Sequence, residues 1–140
     1  MKNEFSGTVS GIYKFDDCIL CRYKKANSFS GIFTDADIMR NYYGGEECVV
    51  IPACAEKETL EAARRTGCAV DTVCPCAVIR LFGIGLAGGG VLCKALRCLS
   101  GASVFPLGTS ISECGLTFAV RSADAEAAWR LLCGFVDRSE

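Results

Sequence analysis

The chain has 140 residues, of which 51% are hydrophobic and 22% are charged, and its formal net charge is -1. This near-neutral balance gives little support to a surface for nucleic acid or for an anionic membrane. The sequence contains 11 cysteines and no histidine, so catalytic triads that depend on histidine are excluded. The length suits one compact unit or two small modules, and the apolar fraction is sufficient for a packed core.

Runs rich in β-branched, aromatic and sulfur side chains predict strands in the first half of the chain, at 8–13, 18–23 and 48–51. A turn at 15–17 is expected between the first two strands, and an apolar stripe predicts a helix from Gly31 to about Met39. A second helix is predicted over 56–65, since acidic residues occupy its first turn and Arg64 and Arg65 its last, as the helix dipole favours.

The second half shows the same kinds of elements. Strands are predicted at 69–73, 76–82, 102–107 and 116–120. A glycine-rich segment, 83–90, precedes a helix with one broad apolar face that ends at Gly101. A turn is predicted at 108–110, and Ser122 is the predicted N-cap of a final helix.

The order of elements in the second half repeats that of the first. Tyr23 aligns with Phe82, an offset in residue number of 59, and Glu47 aligns with Glu113, an offset of 66. The sequence therefore predicts one duplicated module whose first copy is seven residues shorter.

Two close cysteine pairs invite a zinc or redox interpretation. Cys18 and Cys21 lie within a predicted strand, where an offset of three directs side chains to opposite faces. Cys74 and Cys76 flank a proline with no companion pair at zinc-finger spacing. We expect no metal and a mainly structural use of cysteine. The odd cysteine count and the polar N-terminus, which has no signal-peptide stretch, favour a reduced cytoplasmic chain.

The segment Gly83-x-Gly85-x-x-Gly88 has the spacing of a dinucleotide-binding turn between a strand and a helix. The next predicted strand ends without the acidic residue that would bind a ribose hydroxyl. A simpler interpretation is a turn with exposed N–H groups at a helix N-terminus, which can receive a carboxylate or a phosphate. We expect neither a cofactor nor catalytic residues.

These features together resemble the ACT domain. The stretch 78–86, the helix that follows it and Leu116 to Val120 are similar to the second ACT module in the regulatory region of aspartokinases. The resemblance implies an α+β fold of two ferredoxin-like (βαββαβ) ACT modules packed side by side, with helices on one face of antiparallel sheets. It places the modules at 14–74 and 75–140, with strand 7–13 completing the second sheet, and it implies a homodimer.

The resemblance also implies that a small amino acid binds between modules, at the loop and helix start that follow each first strand. The matching residues are Asn27, Ser28, Phe29, Ser30 and Gly31 in the first copy and Ala87, Gly88, Gly89 and Gly90 in the second. The kinase domain of the family is absent from this sequence, so a regulatory protein and not an enzyme is expected. Two alternatives stay open: a degenerate ACT pair that serves only as a dimerisation or interaction module, and a dinucleotide-binding oxidoreductase.

Overall fold

A computed structural model of the chain describes residues 7–24, 39–43, 46–65, 67 and 70–136. The chain divides into two compact units: unit 1 comprises Met1–Phe15 and Ala77–Glu140, and unit 2 comprises Asp16–Cys76. The predicted module boundaries at 14–74 and 75–140, with strand 7–13, stay a prediction. Among the described residues no helix is long and apolar enough to cross a membrane.

The described residues form antiparallel β structure and three α-helices. The strands are β1 Thr8–Lys24, β2 Met39–Tyr43, β3 Glu46–Pro52, β4 Val70–Ile84, β5 Gly108–Ile111 and β6 Gly115–Arg121. The helices are α1 Glu56–Arg65, α2 Gly90–Gly101 and α3 Ala125–Cys133. Short 3-10 turns precede them at Ala53–Ala55, Leu86–Gly88 and Ser122–Asp124. The mixed α and β content and the antiparallel pairing agree with the predicted fold class.

Two breaks predicted from the sequence are wrong. β1 runs without interruption through 15–17, where Asp17 takes a φ of 53° without ending the strand. β4 continues through Pro75, because the φ that proline fixes is compatible with extended backbone. The predicted helix begins at Gly31, and its residues up to 38 are not among the described residues. Met39, the predicted end of this helix, belongs to β2.

The predicted strand at 102–107 is also wrong. The backbone after α2 folds back on the helix, with the Val104 N–H donating to the Leu99 carbonyl at 2.9 Å. Val104 is buried in the core of unit 1, whereas Phe105 is 66% exposed, so the segment contributes one core residue without forming a strand. The strand β5 forms instead at Gly108–Ile111, which includes the predicted turn.

Unit 1 has the strand order β1-β4-β6-β5, and α2 and α3 pack on its sheet. Its buried helical residues follow the predicted apolar stripes, Val91, Ala95 and Leu99 on α2 and Ala125, Ala128 and Leu132 on α3. The predicted Ser122 N-cap is wrong. Ser122 begins a 3-10 turn, and no side chain caps α3, which starts at Ala125.

Unit 2 has the strand order β2-β3-β1-β4 and contains α1. Its core comprises Ile19, Cys21, Tyr23, Val49, Ile51 and Ala63. Within this apolar setting the Tyr23 hydroxyl donates to the Glu47 carboxylate, and both side chains are buried. A buried carboxylate needs such a partner because its transfer from water is otherwise costly.

Strand register shows that part of the fold is duplicated. In the two hairpins Met39 lies opposite Val50, and Gly108 lies opposite Ala119. The two pairs are related by an offset of 69 in residue number, and so are the starts of the 3-10 turns and helices that follow β3 and β6. The predicted offset of 66 is therefore wrong by three, because short alanine-rich helical segments align almost equally well at a neighbouring turn.

For the strand that precedes each hairpin, the predicted offset in residue number differs less from the observed one. The Gly83 N–H donates to the Cys114 carbonyl, which sets Leu81 opposite Leu116 in antiparallel register. In unit 2 Tyr23 lies opposite Glu47, so Leu81 corresponds to Tyr23 at an offset of 58. The predicted offset of 59 is wrong by one, which would exchange the two faces of the strand. Because the offset rises from 58 to 69, the first copy is shorter by eleven positions and not by seven.

Candidate functional site

The glycine-rich segment joins β4 to α2, as predicted. Gly85 and Gly89 take left-handed backbone angles, with φ of 70° and 86°, on either side of the 3-10 turn Leu86–Gly88. Such angles are strained for residues that carry a Cβ. Two left-handed residues within five positions therefore lead directly into the first turn of α2.

The predicted site residues of the second copy lie together at this turn. Ala87 and Gly88 are exposed, whereas Gly89 and Gly90 are half-buried at the N-terminus of α2. The predicted residues of the first copy, 27–31, lie outside the described residues. Ligand binding by either set stays a prediction.

A carboxylate that the sequence analysis did not select holds the glycine turn. The Gly85 N–H donates to the Glu113 side chain at 3.2 Å, and the Leu86 N–H donates to the Glu113 carbonyl at 2.9 Å. The β5–β6 hairpin thereby fixes the start of the turn. The position of Glu113 in a tight hairpin ending at Gly115 was the available signal.

This contact also bears on dinucleotide binding. The N–H of the central glycine in a dinucleotide turn lies where a pyrophosphate approaches. Here the Gly85 N–H already donates to the Glu113 carboxylate, so this N–H is not available to a pyrophosphate. The geometry therefore disfavours the oxidoreductase alternative.

A groove of about 490 Å³ lies in unit 1, on the sheet side that carries Arg80. The strands β1, β4, β5 and β6 and the loop between β5 and β6 contribute to it. Its lining residues are Tyr13, Arg80, Phe82, Ser110, Ser112, Cys114, Gly115 and Thr117. The sequence analysis did not predict this groove.

Arg80 is fixed at the centre of the groove by two hydroxyl groups. Its Nε donates to the Thr117 Oγ1 at 2.9 Å, and its Nη1 donates to the Tyr13 hydroxyl at 3.0 Å. The guanidinium also lies 5.8 Å from the centroid of the Tyr13 ring, which packs against Phe15 and Phe82. The signal in the sequence was one arginine in the otherwise apolar strand segment 77–82.

Cys18 and Cys76 do not have the properties of reactive thiols. Burial, with a contribution from Asp16 and Asp17, raises the pKa of Cys18 to about 11. Burial is also the main cause that raises the pKa of Cys76 to about 12. Both thiols are therefore protonated at neutral pH, whereas redox and metal-binding cysteines require the thiolate. Within the described ranges no three His, Cys, Asp or Glu side chains form a metal-binding group.

Core packing explains only some of the cysteines. Cys18, Cys21, Cys48 and Cys76 are buried, as that interpretation requires. Cys54, Cys93 and Cys114 are exposed, and nothing in the structure explains the choice of cysteine there.

No family model matches the chain, and no curated protein matches it. Solved structures do match. The ligand-free regulatory subunit of aspartate kinase from Thermus thermophilus has 18% identity and a TM-score of 0.77, over 93% of this chain and 99% of that one. The regulatory subunit from Thermus flavus has 18% identity and a TM-score of 0.75, over 91% of this chain and 97% of that one. The fold is that of the aspartate kinase regulatory subunits.

A complete aspartate kinase also contains this fold. Aspartokinase III from E. coli, in complex with aspartate and ADP, has 16% identity and a TM-score of 0.71, over 95% of this chain and 34% of that one. The chain thus has the size of the separate regulatory subunits and about a third of the length of the kinase. The resemblance predicted from the sequence is confirmed for the fold.

Proposed function

We propose that the chain is a non-catalytic regulatory protein of ACT type that binds a small amino acid. The observation that carries this proposal is the match over nearly the whole length of two aspartate kinase regulatory subunits, one of which was solved in a ligand-free form. The match covers 97% and 99% of the two regulatory subunits.

The glycine turn before α2 is the proposed place for the carboxylate of the amino acid. The N–H groups of the first helical turn have no partner within their own helix and carry a partial positive charge. Ala87 and Gly88 are exposed, and glycine permits close approach to the backbone. The hydrogen bonds from Gly85 and Leu86 to Glu113 hold the preceding backbone in position.

The duplication supports an arrangement of two tandem ferredoxin-like ACT modules in each chain. We propose that two such chains form a homodimer. Each unit contains a hairpin, a 3-10 turn and a helix in the same order, related by a constant offset in residue number. The resemblance to the ACT family implies a homodimer, which the mass of the particle in solution tests.

The test is a thermal-shift screen of the purified chain against the twenty amino acids. One or a few amino acids should raise the melting temperature, because a ligand that binds only the folded state stabilises it. Gly90→Val should abolish the shift by adding a side chain at the proposed site. Gly101→Val is the matched control at the other end of α2, where no atom lies within 4 Å of an added Cβ.

The outcomes separate the alternatives. If no amino acid changes the melting temperature, the proposed sensor function is wrong and the interaction module replaces it. A saturable shift with NAD that Gly90→Val removes would support the oxidoreductase.

A further inference from the structure

We propose that the Arg80 groove of unit 1 is a binding site for a small monocarboxylic acid. This inference does not depend on the proposed function, because no residue of the glycine turn is among the lining residues of the groove.

The first argument is the unneutralised charge of Arg80. A guanidinium has five N–H donors, of which the Thr117 and Tyr13 hydroxyl groups occupy two. Both partners are neutral, and among the described residues no carboxylate forms an ion pair with Arg80. Arg80 is half-buried. An anion that enters the groove would neutralise its charge and form strong, charge-assisted hydrogen bonds with the remaining N–H groups.

The second argument is preorganisation. Arginine ordinarily loses side-chain freedom when it binds a ligand, and that loss weakens binding. Here two hydrogen bonds and the Tyr13 ring hold the guanidinium through contacts within the protein itself. The ring of Tyr13 is in turn held by edge-to-face contact with Phe15, with centroids 5.1 Å apart.

The third argument identifies the class of ligand. Arg80 is the single cationic side chain among the lining residues, so the groove matches one negative charge. A carboxylate fits the planar fork of a guanidinium, whereas a phosphate dianion is better matched by more than one cation. Phe82, which is 41% exposed, offers an apolar surface, and Ser110 and Ser112 offer hydroxyl groups. The volume of about 490 Å³ suits a small molecule.

The test uses amide NMR of the labelled chain, titrated with benzoate and with benzamide, its neutral counterpart of the same shape. Benzoate should shift the amides of Tyr13, Arg80 and Thr117 and bind at least about 10-fold more tightly than benzamide. Arg80→Gln should weaken benzoate binding by at least about 10-fold. Arg97→Gln is the matched control, because Arg97 is exposed on α2.

A second variant covers the case in which Arg80→Gln does not fold. Ser110→Leu fills the groove and keeps the charge of Arg80, and it should also abolish benzoate binding. The proposal would be overturned if benzamide bound as tightly as benzoate, or if inorganic phosphate bound more tightly. It would also be overturned if the chemical shifts of the groove amides changed with protein concentration and not with benzoate. Gly90→Val should leave benzoate binding unchanged, so a failure here is distinct from a failure of the proposed function.

Discussion

The two units use the same pair of core positions in different ways. In unit 1 the positions hold Leu81 and Leu116, both 0% exposed, and the surrounding core is apolar. In unit 2 they hold Tyr23 and Glu47, which are 1% and 0% exposed and joined by a hydrogen bond. One backbone arrangement therefore accommodates either an apolar or a polar pair. The hydrogen bond between Tyr23 and Glu47 offsets part of the cost of burying the polar pair.

The opposite face of the strands differs as well. Arg80 corresponds to Arg22, but the Thr117 hydroxyl that holds Arg80 corresponds to Cys48, which is buried. A cysteine thiol is a weak hydrogen-bond acceptor compared with a hydroxyl group. The threonine hydroxyl that holds Arg80 is therefore a feature of unit 1, although both units have an arginine at this position.

The largest loss of folding stability is expected when only the glutamate of the polar pair is introduced into unit 1. Leu116→Glu buries a carboxylate without a partner and should destabilise the chain by about 4 kcal/mol or more. Leu81→Tyr in the same chain supplies the hydroxyl of unit 2 and should recover at least about 1 kcal/mol. Urea unfolding measures both, and a double variant no more stable than Leu116→Glu would contradict the equivalence of the two pairs.

The reverse change in unit 2 should have a moderate effect. Tyr23→Phe removes the hydroxyl that donates to buried Glu47 and should cost about 1–3 kcal/mol. Combining it with Glu47→Leu removes the carboxylate as well and should restore part of the loss. Urea unfolding of the four chains of this cycle gives the coupling energy, and strictly additive effects would show that the hydrogen bond contributes nothing.

The buried thiols of unit 2 should make stability fall at alkaline pH. Burial raises the pKa of Cys21 to about 11 and that of Cys76 to about 12, from 9.0. Above pH 9 the unfolded chain releases these protons while the folded chain retains them. Stability is therefore lost between about pH 9 and 12, by at most about 1.4 kcal/mol per pH unit for each thiol.

The free energy of unfolding measured at pH 8 and at pH 10.5 checks this expectation. Cys76→Ala should reduce the dependence on pH, and Cys54→Ala, an exposed cysteine of the same unit, should not. If the free energy of unfolding depended on pH identically in the unmodified chain and in both variants, titratable groups other than Cys76 would be responsible.

The smallest effect is expected at the ends of α2. Gly89→Ala should cost about 1 kcal/mol, because an alanine Cβ is strained at a φ of 86° although no atom obstructs it. Gly101→Ala meets the same open space without a positive φ and should be neutral or slightly stabilising. Thermal unfolding of the two variants measures the difference directly. Equal stability would mean that the turn relaxes away from the left-handed angle.

The sequence predicted those features that local chemistry determines. The helix at 56–65 agrees with the structure at both ends because its charges follow the dipole, and the strand–glycine–helix order around 83–90 follows from glycine's backbone freedom. Register was not accessible in the same way. The offsets of 59 and 66 maximise residue similarity, whereas 58 and 69 are set by hydrogen bonds between strands.

The Arg80 groove was inaccessible for a similar reason. Arg80 and Tyr13 are far apart in the sequence, and their contact exists only because β1 and β4 are neighbours in the sheet. A single arginine in an apolar strand shows no partner until the strand order is known. The role of Glu113 is hidden in the same way, because a carboxylate in a hairpin shows no backbone partner until the glycine turn packs beside it.

Amide NMR of the whole chain, titrated with each of the twenty amino acids, tests the regulatory proposal most directly. We predict that at least one amino acid saturates below about 10 mM and that its shifts centre on the amides of 87–90. Saturation of none of them, or shifts confined to surfaces away from that turn, would contradict an amino-acid sensor built on the glycine turn.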